Sequence, residues 1–163
     1  MKIPKARMRN DLQTLRAGDE ISTGLRLLTA RRADKSAGRV RAINRLHAQL
    51  LEYFPALERA FDYSRSKAAL TLLSKHRTPD GIRHAGQAKI HAWLKKHGAR
   101  SSAAVAASAV EAAKAQYTIV PAQHVGEEIV AALAREILTL NEELAPAHTS
   151  AAQHARIRTR PCC

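Results

Sequence analysis

Apolar residues recur at steps of three and four along two long stretches of the chain. One carries Ile21, Leu25, Leu28, Val40, Ile43, Leu50 and Phe54; the other carries Val125, Ile129, Leu133, Ile137, Leu140 and Leu144. Side chains three or four apart share one face of an α-helix, so each stretch reads as a helix with an apolar stripe. No run alternates with period two, and the pattern predicts an all-α chain. The first stripe weakens where Arg32 and Ser36 fall on the seam, and His47 stands among its later apolar positions. A helix over Glu20 to Phe54 would be roughly 50 Å long, more than a small core can cover, so it needs a long helix beside it. The second stripe, opening at Pro121 and carried past Pro146 toward Ala155, supplies one of matching length. Charges match as well. Arg26, Arg31, Arg32, Lys35, Arg39, Arg41 and Arg45 accompany the first stripe, and Glu127, Glu128, Glu136, Glu142 and Glu143 the second. Flanking charges of opposite sign set partner and direction in coiled coils, so the expectation is a long antiparallel two-helix coiled-coil stalk.

Between the arms the pattern breaks into short helices, which predict a small helical knob. Leu70, Leu72 and Leu73 mark one over Ser66 to His76. The run RTPDGI offers Thr78 as N-cap, Pro79 at the first position and Asp80 in the first turn. A further helix from Gln87 ends at LKKHG, with Gly98 suited to a left-handed cap. DGIRHAGQAKI is read as a turn between two helices, since the paired glycines of a phosphate-gripping hairpin are absent. An alanine-rich helix then stops before Pro121. The expected organisation is 1–18 as the end of a preceding element broken at Gly18, 19–54 as the first arm, 55–120 as the knob, 121–155 as the second arm and 156–163 as a disordered tail.

Composition changes this picture in two ways. Apolar residues make up 45% of the chain but only 4% are aromatic, and much of the rest is alanine, which favours helix while burying little area. The formal net charge is +13 and the sequence pI about 10.6. Such an excess attracts polyanions, nucleic acid first. Arg31, Arg32, Arg39, Arg41, Arg45, Lys89, Lys95 and Lys96 are the residues expected to touch phosphates. Catalytic chemistry finds no foothold in the pattern. The acidic residues read as caps, turns or a solvated flank rather than a metal-binding set, and the eight histidines lack the HExxH spacing. No GxSxG is present, and Ser101 and Ser102 look like helix caps. Cys162 and Cys163 are adjacent at the C-terminus and can neither staple the fold nor complete a zinc site. These readings give no catalytic residue, no metal, no cofactor and no small-molecule substrate. Without a signal peptide or a bilayer-length apolar stretch, the expectation is a cytoplasmic protein with no membrane contact.

Three runs carry a likeness: LRLLTARRAD followed by RVRAINRLHAQLLEYFPALERAF, then LTLLSKHRTPDGIRHAGQAKIHAWLKK, then AVEAAKAQYTIVP. They closely resemble the middle of bacterial insertion-sequence transposases of the DEDD type, the Piv-like DNA invertases and bridge-RNA-guided recombinases. The resemblance runs from Lys5 to about Ala145. It implies an RNase H-like domain with acidic metal ligands before this region and a serine-bearing domain after it. It also implies that the coiled coil between them is where subunits associate and guide RNA binds. No catalytic residue maps onto this sequence. The expectation is therefore a truncated transposase, not an enzyme by itself, that binds DNA or structured RNA and forms a homodimer or a heterodimer with full-length transposase. The alternative is a regulatory protein that inhibits the intact enzyme by pairing with it.

Overall fold

The computed structural model describes residues 17–116 and 123–145. Six α-helices and no strand occur among them, as the three-to-four periodicity predicts. They are α1 (Ala17–Tyr53), α2 (Pro55–Ala60), α3 (Lys67–Lys75), α4 (Pro79–Lys96), α5 (Ser102–Lys114) and α6 (Gln123–Leu144). Pro121, the continuation past Pro146 and the 156–163 tail lie outside the described residues, as does nearly all of the 1–18 segment. Gly18, expected to interrupt the chain, falls within the first turn of α1.

The chain divides into two compact units, Met1–Asp34 and Lys35–Cys163. In the first, α1 carries its apolar stripe in the open: Ile21 is 66% exposed, Leu25 60% and Leu28 66%. The Thr29 hydroxyl satisfies itself within the helix, donating to the Leu25 carbonyl at 2.8 Å.

In the second unit α1 turns Ile43 and Leu50 of the expected stripe inward, together with residues the stripe leaves out. Ala42, Ile43, Leu46, Leu50 and Tyr53 are buried, whereas Val40 is 51% exposed. The helix ends where the sequence says it must. A residue before proline is pushed out of the α region, and Phe54 adopts φ −138°, ψ 57°. Its N–H still donates to the Leu50 carbonyl at 2.7 Å, and its own carbonyl accepts from Leu57 and Glu58 at 3.1 and 3.2 Å. Pro55 then opens α2 at a position that needs no N–H donor. The local start signals are also realised. Ser66 Oγ accepts from the Ala69 N–H at 3.1 Å to cap α3, and Thr78 Oγ1 accepts from the Gly81 N–H at 3.0 Å to cap α4. Ser101 stands at the N-cap of α5 without a side-chain bond.

Two glycines lie at positive φ, Gly86 at 69° and Gly98 at 72°. Gly98 ends α4 as predicted. Gly86 has ψ 164° and divides α4 into two pieces, so a helix does begin at Gln87. That φ/ψ region is essentially closed to residues with a Cβ. Gly86→Ala should therefore cost about 1–3 kcal/mol, read as a lower denaturation midpoint at constant m-value. A loss of a few tenths or less would show that the turn relaxes without strain.

The core is richer than the alanine content suggested. Phe54, Tyr63, Leu46, Leu57, Leu72, Ile82, Leu94 and Ile137 are fully enclosed, and so are Ala69, Ala106, Ala109, Ala113 and Ala134. Small side chains let helix backbones approach closely, so alanine here forms the contact surfaces while leucine and the aromatics fill the spaces between. On α6 the buried residues are Val130, Ala131, Leu133, Ala134 and Ile137, with Val125 and Ile129 left 48% and 41% exposed. Part of α1 runs antiparallel to α6. Lys35 pairs with Glu143 at 3.0 Å, Arg39 Nε donates to Asn141 Oδ1 at 2.5 Å, and a Cβ on Gly126 would lie 3.0 Å from the Tyr53 ring. The residues between the arms share the core with them: Leu70, Ile82, Leu94 and Ala109 belong to one cluster with Leu46, Leu50, Val130 and Ile137.

Candidate nucleic-acid interface

The eight cations expected at phosphates do not share one environment. Arg31 and Arg32 are exposed in the first unit. In the second, Arg41 and Arg45 stand one turn apart on α1 and are exposed, as are Lys89, Lys95 and Lys96 on α4. None of these seven forms an ion pair among the described residues. Arg39 differs. It is half-buried, with one donor on Asn141 and another on the Ser64 carbonyl, and it ties α1 to α6 and to the turn before α3. Arg83 also works inward, donating to the Ala113 carbonyl, to the Gln116 carbonyl at 2.6 Å and to Asp80. It thereby satisfies the open carbonyls at the end of α5.

Around Trp93 the structure assembles a group that the sequence pattern did not single out. Lys75 Nζ lies 5.6 Å from the indole centroid, His97 packs on the ring at 4.2 Å, and the His76 ring meets it edge-on at 5.6 Å. Lys89 and Lys96 flank Trp93 on the same helical face, four and three residues away. Burial lowers the basicity of His76, and the neighbouring Lys75 lowers it further, which favours the neutral imidazole. A run of LSKH before a turn and WLKKH after it carries these residues, but only the packing of α3 beside α4 reveals that they meet.

His47, placed on the seam by the sequence, is half-buried. Its Nδ1 lies 2.8 Å from Glu58 Oε1, and its ring meets Tyr63 edge-on at 5.5 Å. The Tyr63 hydroxyl donates to the Leu57 carbonyl at 2.8 Å, and burial raises the pKa of its phenol. These are structural roles. Among the described residues no three His, Cys, Asp or Glu side chains gather as metal ligands. No described helix is long and apolar enough to cross a membrane.

Residues 4–55 match a DEDD-type family described as "Transposase". Across 140 residues, 86% of its length, the chain is 50% identical to the insertion element IS900 uncharacterized 42 kDa protein of Mycobacterium paratuberculosis. Over the same number of residues it is 42% identical to the insertion element IS116 uncharacterized 44.8 kDa protein of Streptomyces clavuligerus. The chain belongs to the family of DEDD-type insertion-sequence transposases. It spans about a third of those relatives, 35% of each. The insertion element IS110 uncharacterized 43.6 kDa protein of Streptomyces coelicolor is 26% identical over 137 residues. No solved structure matches the chain. Transposases are enzymes, so membership in this family overturns the expectation, drawn from the missing catalytic motifs, that the chain is not one.

Proposed function

We propose that this part of the transposase holds nucleic acid by its phosphate backbone. One observation carries the reading. Seven exposed cations, Arg31, Arg32, Arg41, Arg45, Lys89, Lys95 and Lys96, stand without a carboxylate partner among the described residues of a chain with net charge +13. Cations fixed on helices and left unneutralised release counterions from a polyphosphate and bind it without reading its sequence. DNA and structured RNA both offer that backbone. The measurement is fluorescence anisotropy with a labelled DNA duplex and an RNA duplex of the same sequence, titrated at several salt concentrations. Should most of these cations engage, affinity falls by about 10³-fold or more between 50 and 200 mM salt. Absence of binding at the lower salt, or an affinity indifferent to salt, would defeat the reading.

A second reading concerns pairing between chains. Ile21, Leu25 and Leu28 form an exposed apolar stripe of the kind a partner helix covers. The stripe supports a homodimer, or a heterodimer with a longer transposase that would make this chain a regulator of that protein. Sedimentation of the chain alone and mixed with a full-length relative separates the two. A monomer in both experiments removes the pairing altogether.

A further inference from the structure

An open cleft of about 560 Å³ lies between the link joining α3 to α4 and the side of α6. Arg77 and Arg135 line it, together with Glu128, Ile129, Ala131 and Ala132. The side chain of Arg77 is incompletely satisfied. Its Nε is buried without a hydrogen-bond partner, and its one bond is a long 3.4 Å contact from Nη2 to the Ser74 carbonyl. A buried guanidinium N–H without an acceptor is costly, and most native structures supply one. Arg135 is exposed and donates through Nε to the Ala131 carbonyl at 3.1 Å. Neither arginine forms an ion pair among the described residues, although Glu128 lines the same cleft. A second orphaned polar atom, the Tyr53 hydroxyl, is also buried near enough for the Arg77 charge to act on the phenol.

Two guanidinium groups suit an oxyanion whose oxygens can accept paired N–H donors. The wall between them is apolar, with Ala131, Ala132 and the 41% exposed Ile129, so the ligand should carry a non-polar part beside its charge. Glu128 repels a second negative charge. A phosphodiester meets all three demands, with one charge, two unesterified oxygens and a sugar on either side. We propose that this cleft seats one phosphodiester group of a nucleic acid, gripped by Arg77 and Arg135. This rests on the reading of the chain as a nucleic-acid binder and assigns it a site whose two arginines lie on neither of the stripes the sequence displays.

The test follows the arginine Nε–H signals by NMR on the full chain, assigned through Arg77→Lys and Arg135→Gln. Dimethyl phosphate, a monoanionic diester, is the first probe, and inorganic phosphate at pH 7.5 is the second. The diester should shift both signals, and inorganic phosphate should shift them less because Glu128 opposes its extra charge. In parallel, Arg135→Gln, an exposed change that leaves the core intact, should weaken duplex binding by about 5–10-fold and lower the salt slope by about one. Equal effects with the DNA and RNA duplexes mark a backbone contact common to both, and an effect with one alone identifies the source of the diester. If the duplexes bind but the signals stay still and Arg135→Gln changes nothing, the cleft is overturned and the wider reading survives. If dimethyl phosphate moves the signals while no duplex binds, the cleft is a diester site but its assignment to nucleic acid falls with the wider reading. Stronger shifts with inorganic phosphate than with the diester would overturn the assignment to a diester.

Discussion

Phe54→Ala should lower the stability of the second unit by about 3–5 kcal/mol. Phe54 is fully buried and sits at the corner where α1 ends and α2 begins. Its backbone holds the corner through bonds to Leu50, Leu57 and Glu58, and its ring fills the core beneath. Truncation removes the transfer energy of the ring and leaves a cavity. The neighbours cannot collapse freely into it, because Pro55 fixes φ at the start of α2 and Tyr63 is tied to the Leu57 carbonyl. The expected loss is a large share of the total stability of an ordinary domain, about 5–15 kcal/mol. It is read from the denaturant midpoint at unchanged m-value. Phe54→Leu should recover about half of the loss, because it restores most of the volume. A loss below about 1 kcal/mol for the alanine variant would mean that the corner is held by its backbone and Pro55 alone.

Local chemistry made several elements legible before any packing was known. The Thr78 cap followed by Pro79, the stop at Phe54 before Pro55, and Gly98 at the end of LKKHG each act within a few residues, and each is where the sequence places it. What depended on distant neighbours was read less well. The expected seam of α1 includes Ile43 and Leu50, which are buried, but it passes through the exposed Val40 and omits the buried Ala42 and Leu46. Arg39 and Lys35 lie one and two turns earlier on that same side, which is why they meet Asn141 and Glu143 while Arg41 and Arg45 face water. The signal was present in the i, i+3, i+4, i+7 spacing from Arg39 to Leu46. Alanine contributes little apolar area, so Ala42 is a weaker periodic signal than Val40. On α6 likewise Leu133 and Ile137 of the expected stripe are buried, and Val130, Ala131 and Ala134 join them in place of Val125 and Ile129. The Trp93 group and the Arg77–Arg135 cleft join residues from different helices, and no periodicity within one helix could announce them.

The charge argument predicts the largest functional effect. A variant carrying Arg31→Gln, Arg32→Gln, Arg41→Gln and Arg45→Gln should bind a nucleic-acid duplex about 10²–10³-fold more weakly at low salt. The slope of log affinity against log salt should fall by about 3.6 on DNA if all four contact phosphates, since each contact contributes about 0.9. The fold should not change, because all four arginines are exposed and glutamine is about as good a helix former as arginine. Circular dichroism and the denaturation midpoint check that directly. Lys67→Gln is the matched control for charge: Lys67 lies 3.8 Å from Glu142, so its charge is already partly answered. Its removal should alter affinity by less than one of the four arginines does. The slope decides what kind of contact these residues make. Weaker binding with an unchanged slope would mean that the arginines orient another surface instead of neutralising phosphates, and the assignment of α1 as a phosphate-tracking helix would be wrong.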